Sequence, residues 1–489
     1  MIFRIGAMID EIFTSNIPSI NRSFSGNAES AFRLIDNKIA NRGIGIVQGP
    51  PGTGKTTIYE EVIRDRLINN KLDKKEILVY ITPTNQLAYD MIKKMTNVFR
   101  ANGLNRSDIK RYIRLYGSKF DYGQYTQLNK SIDNDVRLVI TTEYQRVFSR
   151  DRNYHLLIDE ASKSPLHRPF LPLTDNLTDS LTDNIIASIS VIGDPKQAIA
   201  LNEQYREEGS RLLIMNILLR GLLKMHNEFK EDVDITKLAR DSSIIRGKYY
   251  EFLDITMRLP EPSEKPISMG YYDGKLKSGR PSSVLNSLYD SNIARQLEAD
   301  LDKFKDIVKV IEKALTTCTP LIYAEIDPFP TTDDVLWHKK RGELSLLFAI
   351  ALAKITRKDT AIITPYTDQK TQTKLLYDSS YQRFLAESVK IDIKTAQQML
   401  GSEAANIICV LGKEYWGGKD MPTIYFQEPE LLNVQLSRHK YTLVIIGNLK
   451  RLRKSAAKAD QELRSTRYKE IIDTIDTILN EECPYVKYP

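Results

Sequence analysis

Short apolar runs recur along the first half of the chain, each bounded by polar or turn residues and followed by a stretch of helical character. They lie at residues 44–47, 77–81, 136–140, 156–158 and 189–192. Each run is continuous rather than alternating and is rich in β-branched residues, as is typical of strands buried on both faces. The first half therefore predicts an α/β domain with a parallel sheet and crossover helices.

The strand pattern pauses between residues 203 and 250, which favour helices, and then resumes. The second set of apolar runs lies at 321–326, 361–363, 389–393, 407–411 and 443–446. We expect two α/β domains in series, 1–250 and 251–489. Apolar side chains near the end fall on one helical face and predict a C-terminal helix that packs on the second domain. These are Ile471, Ile472, Ile475, Ile478 and Leu479.

The length and charge of the chain bound its class without defining its function. At 489 residues the chain is longer than the roughly 250–300 residues at which a single core stops growing, which agrees with two domains. The net charge of +7 permits a polyanionic partner. A globular protein that happens to be basic fits the charge equally well, so charge alone does not decide between the two.

The cysteines indicate a reducing compartment. Cys318, Cys409 and Cys483 are far apart in the chain, so they form neither a disulfide framework nor a structural zinc site. Apolar runs are too short to span a bilayer, and Asp10 and Glu11 interrupt the N-terminal apolar segment too early for a secretory signal. We therefore expect a cytoplasmic protein with no membrane partner.

A phosphate-binding loop follows the first apolar run. The sequence GPPGTGKTT occupies residues 49–57 and precedes a helix-like segment, which is the context this loop requires. Lys55 places a cation against the β- and γ-phosphates, and the Thr56 hydroxyl can ligate Mg²⁺. The residues expected to bind the nucleotide here are Gly49, Gly52, Thr53, Gly54, Lys55, Thr56 and Thr57.

Two further segments supply the residues that hydrolysis needs. In HLLIDEAS, residues 155–162, a strand delivers Asp159 to hold Mg²⁺ and Glu160 to polarise the attacking water as general base. In VIGDPKQ, residues 191–197, Gln197 can reach the γ-phosphate or that water. An Asp-Glu pair alone is usually a surface turn, and Gly-Asp-Pro is also a common turn. The phosphate-binding loop upstream favours the catalytic interpretation.

Residues 100–135 are basic and rich in tyrosine. Lys and Arg interleaved with Tyr suit contact with a nucleic-acid backbone combined with base stacking, but a solvated small subdomain fits equally well. The repeat LTDN, LTDS, LTDN at residues 173–184 has a period of four and predicts a polar surface loop.

The phosphate-binding loop, HLLIDEAS and VIGDPKQ follow one another in an order that resembles the superfamily 1 helicases. The resemblance is to the branch of the nonsense-mediated-decay RNA helicase and its DNA-acting relatives. The resemblance extends to TMRLP at 256–260, YYDGKL at 271–276 and NVQLSRHK at 433–440. It also covers TPTN, RLVITT and ITPYTDQ, whose counterparts contact nucleic acid. The residues implied are Thr82, Pro83, Asn85, Thr141, Thr142, Thr364, Pro365 and Tyr366.

The resemblance implies two RecA-like domains that bind ATP and Mg²⁺ between them, with a small accessory insertion in the first. Arg258 and Arg438 would act from the second domain as arginine fingers. Glu403 would contact the ribose or link ATP to nucleic acid. The chain departs from the family at three positions that bear on the base, which leaves selectivity for adenine open. They are Asn27 and Leu400, where the family has Gln, and Met257, where it has an aromatic residue.

The function that the resemblance implies is an ATP-dependent helicase or translocase on single-stranded nucleic acid, with 5′-to-3′ polarity. An NTP-gated clamp that remodels complexes without unwinding is the alternative, and strand displacement would separate the two. A small-molecule kinase fits poorly, since kinases lack a second such domain with paired arginines. Because the insertion in the first domain is short, we expect the motor to work with partner proteins. DNA and RNA both stay open as the track.

Overall fold

The computed structural model describes residues 3–4, 24, 26–105, 107, 113–116, 120–121, 135–144, 152–173, 185–197, 212–231, 233–300, 302–330, 336–384, 390–399, 401–418, 423–463 and 466–489. The chain divides into two compact units. One comprises Met1–Pro50 and Gly54–Leu253, and the other comprises Pro51–Thr53 and Asp254–Pro489.

The first unit is built on a parallel sheet. Its strands are Phe3–Arg4 (β1), Ile44–Gln48 (β2), Glu76–Thr82 (β3), Ile113–Tyr116 (β4), Phe120–Asp121 (β5), Leu138–Thr142 (β6), Asn153–Ile158 (β7), Ile185–Gly193 (β8) and Tyr250–Phe252 (β9). Seven of them form one sheet in the order β4-β6-β3-β7-β8-β2-β9, and every neighbouring pair is parallel. Strands β1 and β5 pair separately.

Helices cover this sheet and bury its apolar side chains. They are Ala28–Ala40 (α1), Lys55–Ile68 (α2), Asn85–Ala101 (α3), Ile214–Met225 (α4) and Ile235–Asp241 (α5), with short 3₁₀ helices at Ala161–Lys163, Arg168–Leu173 and Pro195–Gln197. In α1 the apolar residues Leu34, Ile35 and Ile39 recur at helical spacing and are buried in the same core as Leu78 of β3 and Ile192 of β8.

The second unit repeats the parallel design. Its strands are Ile255–Pro260 (β10), Lys277–Arg280 (β11), Leu321–Glu325 (β12), Thr360–Thr364 (β13), Ile391–Thr395 (β14), Ala404–Val410 (β15), His439–Gly447 (β16) and Tyr485–Tyr488 (β17). Six form a sheet in the order β14-β13-β15-β16-β12-β17, and β10 pairs with β11 in a separate parallel ribbon.

The helices of the second unit are Lys265–Tyr272 (α6), Ser291–Asp300 (α7), Lys305–Thr316 (α8), Lys339–Thr356 (α9), Thr367–Leu376 (α10), Ile424–Gln427 (α11), Glu430–Leu436 (α12), Leu449–Leu463 (α13) and Thr466–Leu479 (α14). Short helical turns lie at Ser282–Leu288, Asp302–Phe304, Tyr377–Tyr381, Gln382–Phe384 and Gln397–Met399. From Leu344 to Ile355, α9 buries almost every residue and packs against β13 and β15, so it is a central helix of this unit.

The predicted α/β fold with parallel sheets is confirmed, whereas several strand ends differ from the prediction and some strands were not predicted. Strand β6 begins at Leu138 rather than at residue 136 and continues to Thr142. The predicted C-terminal helix is α14, which buries Ile471, Ile475 and Ile478 and packs on α6 and α13. It is not the last element, because β17 follows it and joins the sheet beside β12. The sequence of β17, YVKY, mixes polar and apolar residues and does not form the continuous apolar run used to predict the other strands.

Several predicted features lie outside the described residues. They include Leu400, most of the basic tyrosine-rich segment at 100–135, and residues 174–184 of the LTDN repeat. Among the helices that the structure does describe, none combines the length and apolar character needed to cross a bilayer. Within the same residues, no cluster of His, Cys, Asp and Glu is arranged to hold a metal ion.

Candidate functional site

The phosphate-binding loop connects β2 to α2 in the first unit. Gly54 caps the N-terminus of α2 at a φ of 81°, a left-handed conformation that glycine adopts without strain. The Lys55 ammonium donates hydrogen bonds to the carbonyl oxygens of Gly49 at 2.7 Å and Pro50 at 3.5 Å. The loop therefore places a lysine at the N-terminus of a helix, an arrangement that suits a phosphate group.

Asp159 lies at the end of β7 beside this helix. Its carboxylate accepts hydrogen bonds from the Thr56 hydroxyl at 3.3 Å, the Tyr80 hydroxyl at 2.6 Å and the Glu160 amide at 2.8 Å. Burial, and then the negative charge of Glu160, raise the pKa of Asp159. The Thr56 hydroxyl and the Asp159 carboxylate offer oxygen atoms, which are the ligands that Mg²⁺ prefers. A cation bound there would keep the buried carboxylate ionised. The residues present thus fit the ion.

Glu160 adopts a left-handed backbone conformation, with a φ of 51°, immediately after β7. This conformation costs about 1–2 kcal/mol for a residue other than glycine, and such strain often accompanies function. Its carboxylate forms an ion pair with Lys163 at 2.8 Å. Gly193, at the end of β8, allows the close approach of this turn, since a Cβ there would lie 2.6 Å from the Ser162 amide nitrogen.

Gln197 belongs to a buried polar network at the ends of β2 and β8. Its amide group donates to the Asp194 carboxylate, which also accepts a hydrogen bond from the Gln48 amide at 3.2 Å. The Gln48 oxygen in turn accepts from the Tyr250 hydroxyl at 2.6 Å and from Arg240 at 3.5 Å. The motif predicted Gln197, but only the fold shows that Gln48, the last residue of an apolar strand, holds it through Asp194.

The same motif is tied to helix α5 by Lys196. Its ammonium pairs with Asp234, which also caps α5 by accepting from the amides of Thr236 at 2.8 Å and Lys237 at 3.0 Å. Burial alone would raise the pKa of Asp234, but the Lys196 charge and these hydrogen bonds outweigh it and lower that pKa. Lys196, Asp234 and Lys163 are contacts that sequence reasoning missed, because nothing in their local patterns distinguishes them.

Of the residues expected near the nucleotide base, Asn27 lies in the first unit and Met257 in the second. Asn27 precedes α1, and its amide donates to the Phe252 carbonyl at 3.1 Å within the first unit. Met257 lies on β10 of the second unit with 56% of its surface exposed. Asn27 is thus held against the strand that borders β2, and Met257 presents an apolar side chain to solvent.

Arg258 and Glu403 lie together in the second unit. The Arg258 guanidinium pairs with Glu403 at 2.8 Å and donates to the Ser437 carbonyl at 3.2 Å, while Lys440 pairs with the same carboxylate at 2.5 Å. Burial opposes ionisation of Glu403, but Arg258 and Lys440 lower its pKa. Arg438 is 3% exposed and donates to the Val434 carbonyl at 3.2 Å. The fold thus brings these predicted nucleotide contacts into one neighbourhood.

The threonines predicted to contact nucleic acid lie at the carboxyl ends of their strands. Thr82 ends β3 and lies opposite Thr142 of β6 in register, whereas Thr364 ends β13. These side chains and that of Thr141 are buried. The turns that follow them, including half-buried Pro83 and Asn85, lie nearer to solvent.

Tyr366, which the resemblance implies as a nucleic-acid contact, is buried. Its ring is 9% exposed and meets Phe329 edge to face with centroids 6.1 Å apart, and its hydroxyl accepts from the Lys413 amide at 3.1 Å. Pro365 is also buried. In this structure Tyr366 fixes the loop that contains Lys413, because apolar contact and a hydrogen bond both hold the ring inside.

A phosphate-binding loop, a Mg²⁺-type oxygen pair and an adjacent carboxylate at the carboxyl ends of β2 and β7 define a P-loop nucleoside triphosphatase. A family model of DEAD/DEAH box helicases matches residues 31–163, and a model of AAA domains matches residues 250–450. The first match covers the loop and Asp159. The second covers the part of the chain that contains Arg258, Glu403 and Arg438.

Two curated proteins resemble the chain along most of its length. DNA polymerase alpha-associated DNA helicase A from Saccharomyces cerevisiae is 22% identical over 91% of this chain and 68% of its own length. A regulator of nonsense transcripts 1 homolog from Neurospora crassa is 23% identical over 84% of this chain, but the match spans only 36% of that protein. A chain from an S. cerevisiae complex of Dbp5, Nup159, Gle1, IP6 and ADP aligns over 98% of this chain at 11% identity, with a TM-score of 0.40 that is too low to define the fold.

These matches support a helicase of superfamily 1, in the branch of the nonsense-mediated-decay helicase and its DNA-acting relatives. The chain is an ATP-dependent helicase that acts on nucleic acid.

Proposed function

We propose that the protein moves 5′ to 3′ along single-stranded nucleic acid and displaces a paired strand, with Mg²⁺-dependent ATP hydrolysis at the loop of the first unit. The observation that supports this proposal most is the convergence of Lys55, Thr56, Asp159, Glu160 and Gln197. They lie at the carboxyl ends of β7, β8 and β2, which are adjacent and parallel in the sheet.

The proposed roles follow from the chemistry of each side chain. Lys55 and the amides at the start of α2 bind the β- and γ-phosphates. Thr56 and Asp159 hold Mg²⁺, which neutralises charge that develops on the phosphate oxygens. Glu160 orients and deprotonates the attacking water. Lys163 holds the Glu160 carboxylate in place through their ion pair.

Gln197 and the arginines respond to the γ-phosphate in this proposal. The buried hydrogen bonds among Gln197, Asp194 and Gln48 support a sensor whose position is fixed by the end of β2. Arg258 and Arg438, which match the family's arginine motifs, supply positive charge during hydrolysis. Arg258 is paired with Glu403 in this structure, so we propose that nucleotide binding exchanges that partner for phosphate.

The proposed track is bound mainly through its backbone. The turns after β3, β6 and β13 offer hydroxyl and amide groups, which suit phosphate oxygens and carry no base code. Both DNA and RNA fit this chemistry. The yeast relative is named a DNA helicase and the Neurospora relative a regulator of nonsense transcripts, which makes a comparison of oligo-dT with oligo-U worthwhile. We propose a reducing, cytoplasmic setting, which suits three unpaired cysteines, and action together with partner proteins.

Strand displacement from tailed duplexes tests the proposal. A duplex with a 5′ single-stranded tail should be unwound in the presence of ATP and Mg²⁺, and the same duplex with a 3′ tail should not. The Glu160→Gln variant serves as the control, since it should bind the substrate without displacing the strand. Preference for the 3′ tail would reverse the proposed polarity. ATP turnover without displacement from either tail would favour the clamp.

A further inference from the structure

Tyr144 is exposed just beyond the end of β6. About 60% of its surface is accessible, and it is the one mainly exposed aromatic side chain within the described part of the chain. It follows Thr142, the last residue of β6, by two positions. An isolated apolar side chain on a surface needs no explanation, but a flat aromatic ring at the carboxyl edge of this sheet can bind a ligand.

Arg168 holds the Tyr144 ring in a defined orientation. Its guanidinium donates a hydrogen bond to the Tyr144 hydroxyl at 2.9 Å, and the guanidinium carbon lies 5.4 Å from the ring centroid. A cation at this distance is attracted to the ring face. The pair therefore has less rotational freedom to lose on binding than an unsupported tyrosine, and it places a positive charge beside the ring.

The backbone beneath the ring is anchored on two sides. The Glu143 amide donates to the Thr82 carbonyl at 3.2 Å, which fixes this turn beside the end of β3. The Glu143 carboxylate is 1% exposed and accepts a hydrogen bond from the Ser164 hydroxyl. Ser164 follows the turn of Asp159 and Glu160, and its amide donates to the Ala161 carbonyl. The ring thus has a fixed position between the TPTN turn and the catalytic turn.

We propose that Tyr144 is a stacking platform for one base of the single-stranded nucleic acid, with Arg168 as the residue that positions it. This inference rests on the proposed function, since it assigns a base contact to the same track. Base stacking on an aromatic face is indifferent to sequence, as a moving motor requires. The adjacent Arg168 cation suits a polyanion. Tyr366, with its ring buried, leaves this role unfilled.

The test compares a strand that has bases with one that lacks them. Binding of fluorescent oligo-dT and of an abasic strand of equal length is measured for wild type, Tyr144→Ala and Tyr144→Phe, with Met225→Ala as an exposed apolar control in the first unit. Tyr144→Ala should raise the Kd for oligo-dT about tenfold, within the range for one lost stack. Met225→Ala should stay close to wild type. Tyr144→Phe keeps the ring but loses the hydrogen bond from Arg168, so its Kd should lie between those of wild type and Tyr144→Ala. The abasic strand should bind wild type and Tyr144→Ala alike.

Each contrary result has a defined meaning. Unchanged oligo-dT binding by Tyr144→Ala, or equal losses on the two strands, would overturn the stacking role while leaving the motor in place. A wild-type protein that binds neither strand and whose ATPase ignores both would overturn the proposed function itself. If Tyr144→Ala does not fold, photo-crosslinking of wild type to a 4-thiothymidine strand replaces it. A crosslink in the peptide that contains Tyr144 is expected, and its absence there would reject the platform.

Discussion

The two residues proposed to bind phosphate and to activate water make separable contributions to turnover. Lys55→Ala removes the cation at the β- and γ-phosphates and should abolish both tight ATP binding and hydrolysis. Glu160→Gln removes only the base, so ATP should still bind while hydrolysis stops. Steady-state ATPase assays and equilibrium binding of a labelled nucleotide measure the two effects. Glu231→Gln, an exposed glutamate in the same unit, is the matched control. Full activity in Glu160→Gln would remove Glu160 as the base.

Substitution of Arg438 tests whether a residue of the second unit contributes to ATP hydrolysis. Arg438→Ala should lower the rate of hydrolysis by about 10³–10⁵, the range typical of arginine fingers, with a much smaller effect on ATP affinity. Because Arg438 is buried and bonds to Val434, thermal melting must show that the variant is folded. Arg451→Ala, an exposed arginine on α13, should behave as wild type. Near-normal turnover in folded Arg438→Ala would mean that this arginine plays no part in hydrolysis.

Residues that are contiguous in sequence were predicted best. The loop around Lys55 and the pair Asp159–Glu160 follow from spacing, because each motif carries its own strand and turn. The contact between Gln48 and Asp194 joins residues 146 positions apart, and no local pattern reports it. The burial of Tyr366 was missed for a related reason. Whether a ring after a strand faces solvent depends on its packing against Phe329, from a distant loop.

At the scale of elements, the turn after β6 should respond to pH through Glu143. Burial raises the pKa of Glu143 from 4.5 to about 7, although Arg168 opposes the shift. Between pH 4.5 and about pH 7, the Glu143 carboxyl is protonated in the folded state but ionised in the unfolded state. The carboxyl therefore favours folding at low pH and loses that contribution as pH rises through about 7. Above it, the buried carboxylate costs up to about 3 kcal/mol.

Glu143→Gln isolates this effect, because the amide keeps an oxygen that can accept from Ser164 but carries no charge. The variant should unfold at a higher temperature than wild type at pH 8, and the difference should shrink towards pH 5. Thermal unfolding of both proteins across this range measures the difference, in which other titrating groups cancel. A difference independent of pH would show that Glu143 does not titrate in this window.

Helix α5 depends on Asp234 in two ways that substitution can separate. Asp234→Asn keeps an N-cap acceptor but loses the charge that pairs with Lys196, whereas Asp234→Ala loses both. The loss of the cap should cost about 0.5–2 kcal/mol, and the loss of the Asp234 charge beside buried Lys196 adds to the cost in both variants. Urea unfolding should rank stability as wild type, then Asn, then Ala. Equal stability of Asn and Ala would show that the cap contributes nothing.

Element type was predicted more securely than element ends. Buried parallel strands such as β3 and β15 give continuous apolar runs, so their existence follows from the sequence. The ribbon of β10 and β11 and the edge strand β17 carry mixed polar and apolar residues. They form because a neighbouring strand supplies hydrogen bonds, which their own sequences do not reveal.

At the scale of the whole molecule, the chain contains two parallel-sheet units, and each carries part of the predicted site. The first unit carries the phosphate-binding loop and the carboxylates, and the second carries the arginine motifs. The comparisons support a single enzyme, an ATP-dependent helicase that acts on nucleic acid. The match to the yeast relative, which extends over 91% of this chain, supports treating the two units as one motor.

The most direct test of this account is the ATPase rate of the intact chain, titrated with oligo-dT and oligo-U at low and high salt. The account predicts a rate that rises to saturation with at least one of the two strands at low salt. Stimulation should weaken as salt increases, because phosphate contacts release bound counterions. A rate that stays flat with both strands at low salt would contradict the motor and leave only a nucleoside triphosphatase.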